Sequence, residues 1–554
     1  MTDFLQPRRF PTHSAQPRWL PWMLLATLLL SGLIGHDPWK VEDASHFGVV
    51  WSMIAHGQWL APHLAGELWS EAPLAYWIAA LFAMLGSALG LASHDAARLA
   101  SALFTALSCT FLALAARELY GKARAIAAPL ALAGCLGLLI HSHETQPAMA
   151  ILASQSAALW GLALLPRQAK RGGMIYGLAL ASLSLSGGLA MLPLTLLPLL
   201  SSITLSPQRS ASLRGLLMGL PFAALAAAWP LALALSDPAA LSAWWAAEWQ
   251  QFADNASGSN FLAFSRLLPW FAWPALPLAT WTLWLRRRDL LALPQLLPLL
   301  AFIGAWISVA LAYQARSVGA LPLLPPLALL AAGGIGEVRR GAANGFDWFA
   351  MITFSLLSAL VWLGWTAMVF GLPAEIAHNF AKLEPGFTAH FSWPAVAVAS
   401  AASIAWFWLI FTSPRTPYRG LTHWLAGMTL TWLLTVSLWF PWVDYGKTYR
   451  PLAVVLAKQL RTLNAQGCIA GQGLAEAQRA SFDYFANLRT VAADSPAGHH
   501  CQWLLKQSTS ANDEELPPAT KEAPWIKHWE GHRPGDKVER FRLYQREPSD
   551  AANR

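Results

Sequence analysis

Charge is scarce in this chain. Only 12% of its 554 residues are Asp, Glu, Lys or Arg, about half the share of a soluble domain. That leaves too little polar surface for a water-soluble particle of this size. Cysteine is scarce as well, with four residues, which excludes a disulfide-dense scaffold. No internal repeat stands out, which argues against a solenoid. The tail has no Gly-rich phosphate loop. No small-x-small cleavage site follows the first apolar run, Trp19 to Gly35, so that run reads as a retained helix rather than a signal peptide.

Apolar residues are abundant, at 55% of the chain. They fall in runs of about 17–25 residues, the length that crosses a bilayer. The net charge of +8 therefore reflects Lys and Arg at membrane edges and is no nucleic-acid signal. The basic loops are Arg117-Lys122-Arg124, Arg167-Lys170-Arg171, Arg209-Arg214, Arg286-Arg287-Arg288, Arg339-Arg340 and Arg415-Arg419. The positive-inside rule places them in the cytoplasm. The loops 36–73, 141–146, 236–260, 314–318 and 371–390 are poor in Lys and Arg and belong outside. The stretch 74–116 holds two apolar segments where its flanking loops allow one net crossing, so one segment lies along or re-enters the membrane. The stretch 174–204 reads as two short helices broken at Ser186-Gly187-Gly188 and Pro193.

The expected fold is a polytopic α-helical membrane protein of about thirteen crossings. Residues 1–18 form a cytoplasmic N-terminus and 19–441 the membrane domain. Residues 442–554 form a small external, periplasmic α/β domain. In that tail, Tyr449 to Leu463 and Leu474 to Leu488 read as helices. Gly467 to Ala470, Thr490 to Ala492, Gln502 to Leu505 and Val538 to Tyr544 read as strands, and 508–523 as a polar loop. Cys468 and Cys501 can form a disulfide if the tail lies outside the cytoplasm. Cys109 and Cys135, in apolar runs, read as packing residues. Arg479 and Asp483, four apart on a helix, read as a surface ion pair.

The first outer loop is the most informative. From Asp43 to Trp59 the pattern is amphipathic, with Phe47, Val50, Trp51 and Ile54 on one helical face, as in a helix lying in the membrane interface. Glu42 and Asp43 open this helix and His46 follows one turn later. Acidic residues there either cap the helix or serve as a catalytic base at the bilayer surface. His141-Ser142-His143-Glu144 offers a divalent-metal reading through His141, His143 and Glu144, or polar residues at a helix end. Trp244, Trp245 and Trp249 crowd one outer loop beside Glu248, as interface anchors or as a stacking surface for sugar or lipid.

The order of these motifs carries a resemblance. Two adjacent carboxylates open an interfacial helix, followed by His56-Gly57-Gln58-Trp59-Leu60-Ala61-Pro62 and by Ala72-Pro73-Leu74-Ala75-Tyr76-Trp77. This resembles the protein mannosyltransferase superfamily of GT-C fold, in particular the bacterial branch of lipid A aminoarabinose transferases. Ser184-Leu185-Ser186-Gly187-Gly188 stands where that family has a Thr-Lys-Gly-Pro-like helix break. Leu321-Pro322-Leu323-Leu324-Pro325-Pro326 resembles its Leu-Pro-rich helix. The resemblance spans most of residues 19–340.

The resemblance implies an inverting glycosyltransferase of the inner membrane. Its donor would be a polyprenyl-phosphate-linked sugar and its acceptor a periplasmic glycolipid such as lipid A, a polysaccharide or a protein. Glu42 aligns with the family's catalytic Asp and Asp43 with the Glu after it, and the two could exchange roles, so both are candidate catalytic residues. His46, Glu71, Tyr76, Glu144, Gln146, Glu248 and Arg316 become candidate substrate-binding residues. A divalent metal is the one cofactor the residues suggest. Several family cations are replaced: the Arg after the acidic pair is Ser45, the Lys before Pro-Pro-Leu aligns with Glu71, and the Lys of the helix break with Ser186. Phosphate would then fall to Arg316, Arg266, Lys40, His141 or His143. Two other readings follow from these losses and from composition. One is a relative that binds a lipid or protein partner without transfer. The other is a transporter, which the scarcity of ionisable residues within the spans disfavours.

Overall fold

The computed structural model describes residues 19–256, 258–509, 525–536 and 538–546. Helices dominate. Among the described residues seven are long and apolar enough to cross a membrane: Ser93–Tyr120, Arg209–Ser236, Leu293–Ala312, Val318–Glu337, Arg340–Phe370, Trp393–Thr412 and Arg419–Thr462. The pair Lys122–Ala133 and Leu136–His143 passes the same test but bends by 69°. Five shorter apolar helices, Leu20–Leu30, Leu74–Ala88, Ala148–Leu164, Leu189–Thr204 and Ala275–Leu285, complete the apolar set. Many apolar side chains stay exposed on the outer surface, among them Leu235, Phe411 and Trp393. Lipid is the solvent that suits such a surface.

Small residues let the helices approach closely. Gly173 and Gly177 of Ala169–Gly187 lie against the backbone of Gly215 and Gly219 of Arg209–Ala223. A Cβ at Gly173 would stand 1.8 Å from the Gly215 carbonyl. This is the small-residue packing that substitutes for a hydrophobic driving force between helices in lipid.

The helix Leu74–Ala88 begins and finishes at one end of the bundle. Tyr76, in its first turn, reaches His46. At its other end Gly86 packs on Ala96, and Ser87 bonds Ser93. Ala96 is two residues from Arg98, which pairs with Asp43. Within the stretch 74–116, Leu99–Tyr120 therefore belongs to the helical run long and apolar enough to cross a membrane.

The stretch 174–204 falls in two helices broken between Gly187 and Pro193, as expected, although the first begins before it. Its first helix starts at Ala169 and runs 19 residues to Gly187. Gly188 takes φ +68° and breaks the chain before Pro193–Thr204. Glu248 fixes the break by accepting the N–H groups of Leu189 (3.0 Å) and Ala190 (3.4 Å).

After Arg419–Thr462 the tail builds a five-stranded mixed sheet. We number the short hairpin of the first loop β1 (His63–Leu64) and β2 (Glu67–Leu68). The sheet is then β3 (Ile469–Gln472), β4 (Thr490–Ala492), β5 (Trp503–Ser508), β6 (Trp525–Gly531) and β7 (Arg540–Arg546). Its order is β4-β3-β5-β7-β6, with β3 parallel to β4 and β5 and the β5-β7-β6 pairs antiparallel. β6 was not foreseen in the sequence, because its exposed positions Ile526, Lys527 and His528 show no apolar alternation. Cys468 and Cys501 are joined, tying the start of β3 to the start of β5. The expected polar loop 508–523 lies, beyond Thr509, outside the described residues. The same holds for the N-terminal segment 1–18.

The helix Glu476–Ala486 carries this sheet onto the first loop. It packs along Glu42–His56 where Gly48 meets Ala480, so closely that a Cβ at Gly48 would stand 2.4 Å from the Ala480 Cβ. Tyr484 is edge-on to Phe47 and Trp51 and bonds His94 at 2.9 Å. Arg479 pairs with Glu67. Asp483 is buried beside Arg489 (3.3 Å) and His56 (3.5 Å). Arg479 and Asp483 are thus not a surface ion pair: each takes a partner from elsewhere, since one side of their helix faces the loop and not solvent.

Candidate functional site

The two carboxylates at the start of Glu42–His56 have opposite surroundings. Asp43 is fully buried. It accepts the backbone N–H of Trp39 (3.1 Å) and of Thr145 (2.7 Å), and pairs with the Arg98 guanidinium at 2.8 Å. Burial alone would raise its pKa, but Arg98 overcomes that and holds the carboxyl down at about 2. Arg98 itself is fully buried, and also donates to Asp95 and to the carbonyls of His36 and Asp37. Asp43 and Arg98 are the joint that fixes the first loop. Neither Asp43 nor Glu42 caps its own helix, whose N-terminus has no side-chain cap.

Glu42 is different. Its side chain is 31% exposed and touches His46 Nε2 at 3.3 Å. The hydrogen bond from His46 holds its pKa below the ordinary value, against burial, with help from the charges of His46, Arg316 and His141. The family resemblance aligned Glu42 and Asp43 with two adjacent acidic residues; the fold gives one to the interior and leaves the other at the surface.

A polar chain runs from Glu42. His46 Nδ1 lies 2.8 Å from the Tyr76 hydroxyl, which donates to Glu71 and accepts from the Trp69 indole at 3.0 Å. Burial disfavours the charge on His46. The Glu71 carboxylate and the bond to Glu42 outweigh it, with Glu144 adding to them, and raise the pKa. Glu248 is buried and its pKa raised by that burial; the Leu189 and Ala190 amides oppose the rise and the Glu71 charge adds to it. Glu476, at the start of the tail helix, also feels Glu71, His46 and Glu42. Arg316 is exposed and its side chain has no partner among the described residues. Its charge reaches Glu42.

The structure thus brings Glu42, His46, Glu71, Tyr76, Glu144, Glu248 and Arg316 around one outer cleft. Gln146 lines a small crevice together with Tyr76, and its Nε2 is buried with no partner among the described residues. Its Oε1 accepts from the Ala148 N–H at 3.3 Å, and its backbone N–H goes to Ser101. Glu144, two residues earlier, faces His141 at 3.0 Å instead. The paired-histidine metal reading is corrected. His141 contacts Glu144 and Ser317, whereas His143 turns away to the carbonyls of Leu28 and Leu139. Among the described residues no group of three or more His, Cys, Asp or Glu is arranged to hold a metal ion. Lys40, a candidate phosphate ligand, pairs with Asp536 of the tail at 3.5 Å. Arg266 is exposed on Gly258–Phe271. Trp244 packs edge-on against Trp229, while Trp245 and Trp249 stay exposed. Arg98 was missed in the sequence. The available signal was a lone Arg after His94-Asp95 between two apolar segments, since an ionisable residue there needs a partner.

No family model matches the chain. It is 28% identical over 353 residues to undecaprenyl phosphate-alpha-4-amino-4-deoxy-L-arabinose arabinosyl transferase 1 of Pseudomonas fluorescens strain Pf0-1, covering 58% of each chain. A second P. fluorescens relative, transferase 2 of strain ATCC BAA-477, is 26% identical over 459 residues, which cover 77% of this chain and 72% of that one. The crystal structure of ArnT from Cupriavidus metallidurans bound to undecaprenyl phosphate superposes with a TM-score of 0.67 at 16% identity, over 95% of this chain and 97% of the other. The chain is thus similar in sequence to these two transferases and shares the fold of the ArnT structure. The match to the first of these relatives spans 58% of that protein's length. Within this fold, the acidic pair, the Tyr76 helix and the Leu-Pro helix start all meet at one end of the bundle.

Proposed function

We infer that the protein is an inverting glycosyltransferase that takes a sugar from an undecaprenyl-phosphate-type donor and gives it to a periplasmic acceptor. The relatives' names supply the donor class. The observation that carries the assignment of roles is the contrast between Glu42 and Asp43. Glu42 is the accessible, ionised carboxylate, and Arg316 is a cation near it without a side-chain partner among the described residues. In this reading the acceptor hydroxyl donates its proton to Glu42 as its oxygen bonds the anomeric carbon. The bond from that carbon to the phosphate oxygen breaks, and the lipid phosphate leaves with the electron pair toward Arg316. One displacement inverts the anomeric centre. His46 orients Glu42, and Glu71, Tyr76, Glu144 and Glu248 line the sugar and acceptor side.

Thirteen crossings of the inner membrane are the finer topology we propose, with the N-terminus inside and the tail in the periplasm. The joined Cys468 and Cys501 suit that oxidising compartment. The acceptor class is open among lipid A, a polysaccharide and a protein. A mass-spectrometric comparison of envelope glycolipids and glycoproteins with and without the gene tests the function. A sugar-sized increment restored by wild type and not by Glu42→Gln supports it. An unchanged envelope with a folded, inserted protein favours instead a relative that binds lipid without transferring sugar.

A further inference from the structure

A second cavity lies at the far end of the bundle from Glu42. The span Val318–Glu337 starts beside His141, whose Nε2 is 3.1 Å from Ser317. It ends at Glu337, which binds Arg124 and Arg286. Its 20 residues separate the two ends by about 30 Å. At the Glu337 end a crevice of about 460 Å³ opens between helices, within the range of small-ligand sites.

The crevice has a direction. Trp273 stands deep in the bundle, where its carbonyl takes the N–H of Leu136 at the 69° bend. From there the wall follows Ala275–Leu285 through Trp281. The lining stretch from Trp273 to Trp281 rises about 12 Å, within half of the hydrocarbon thickness of about 30 Å. Phe346 and Phe349 form the opposite wall, and Arg339 stands at the open end. The depth therefore fits within one leaflet.

Three observations give the occupant's chemistry. None of the lining residues is acidic, and Arg339 is the charged one among them. Its guanidinium is exposed, with no side-chain partner among the described residues. The Trp281 indole N–H is buried with no acceptor among the described residues. Asp347, next to Phe346, is already neutralised by His423 (2.6 Å) and Arg419 (3.5 Å), so it does not repel an anion.

We propose that this crevice is a binding site for an anionic diacyl phospholipid of the leaflet opposite the Glu42 cluster. One acyl chain lies along the Trp273–Trp281 wall. The phosphate sits at Arg339, and the ester region supplies the acceptor that Trp281 lacks. Basic pockets between helices on the anionic face of a membrane select lipids in this way. A phosphate engaged at Glu42 cannot also contact Arg339, because the two lie at opposite ends of the same span, about 30 Å apart. The proposal is independent of the transfer reaction.

The test is native mass spectrometry of the delipidated full-length protein in detergent, titrated with phosphatidylglycerol or with phosphatidylcholine of the same chains. Wild type is expected to bind the anionic lipid about tenfold more tightly, the scale of one charge-assisted contact. Arg339→Gln removes that preference and Arg339→Lys largely keeps it. A Cβ at Gly345, a lining residue, meets nothing within 4 Å, so Gly345→Phe is tolerated and its ring is expected to narrow the crevice and weaken binding of both lipids. Arg288→Gln, at the same end but outside the crevice, leaves the preference intact. Equal binding of both lipids by wild type overturns the proposal. So does equal loss in Arg288→Gln and Arg339→Gln, which assigns the effect to the basic surface as a whole.

Discussion

Neighbouring carboxylates of one charge and nearly one size are given different tasks by little more than a quarter-turn of helix. Asp43 points inward to Arg98 and two backbone amides; Glu42 points to His46 and the outer cleft. Asp43→Asn is therefore expected to act on folding, because it leaves the Arg98 charge buried and unpaired. Breaking such a pair costs about 3–5 kcal/mol, which thermal unfolding in detergent would register as a lowered midpoint. The sign with pH follows from a folded pKa of about 2 below the unfolded value of about 3.9. The pair's stabilisation is complete above about pH 4 and disappears as pH falls toward 2. The midpoint gap between wild type and Asp43→Asn should stay constant from neutral pH down to that window and close within it. Glu42→Gln should do the reverse: a normal midpoint and a transfer rate lower by about 10²-fold or more, the usual contribution of a positioned base. Wild-type transfer by Glu42→Gln, measured on purified protein, removes Glu42 from the chemistry. His46 binds its proton more tightly than a free histidine. Its ion pair with Glu42 is complete below about pH 6.5 and is lost as pH rises through the higher folded value. A fall in transfer rate on that basic side should be present in wild type and absent in His46→Gln.

At the scale of elements, the contact that organises the site is helix on helix. Glu476–Ala486 lies on Glu42–His56 with no room for a side chain at Gly48. The tail also reaches the first loop through Asp37. Arg450 pairs with it and Thr448 bonds it, while Asp444 takes the Asp37 N–H and the Trp39 indole. Gly48→Val should push the tail helix away, at a cost of about 1–3 kcal/mol for overpacking. Hydrogen exchange would show faster exchange in Glu476–Ala486 while the membrane spans stay protected. Unchanged exchange in that helix would mean that the contact does not hold the tail. These long-range pairings are the part of the fold that sequence reading did not reach. The amphipathic period of Glu42–His56, the outer position of Tyr76 and the helix break at Gly188 were all legible. Each is a local pattern, a 3.6-residue period or a glycine that takes positive φ. Arg98 with Asp43, Arg479 with Glu67 and Glu248 with the Leu189 amide join residues 55, 412 and 59 positions apart. No periodicity encodes those partners.

At the scale of the molecule, the polar residues divide between two ends. The Glu42 cluster, the β1–β2 hairpin and the five-stranded sheet gather at one end. Arg124, Arg286 and Glu337 meet at the other. This polarity was legible as an alternation of basic and aromatic-acidic loops, because charge asymmetry across a membrane is written in loop composition rather than in contacts. In the proposed reaction, a lipid-linked sugar reaching Glu42 would come from the leaflet on the tail's side. Lys527 on β6 is exposed on that side, and Arg288 is exposed on the other. Single substitutions Lys527→Cys and Arg288→Cys place a thiol on each face, while the native Cys109 and Cys135 stay buried. With a membrane-impermeant maleimide on intact spheroplasts, Lys527→Cys should be labelled at once. Arg288→Cys should react only after permeabilisation. The opposite pattern would place the carboxylate cluster in the cytoplasm, where a periplasmic acceptor could not meet it, and the transfer reaction proposed for Glu42 would fail on geometry before any chemistry was measured.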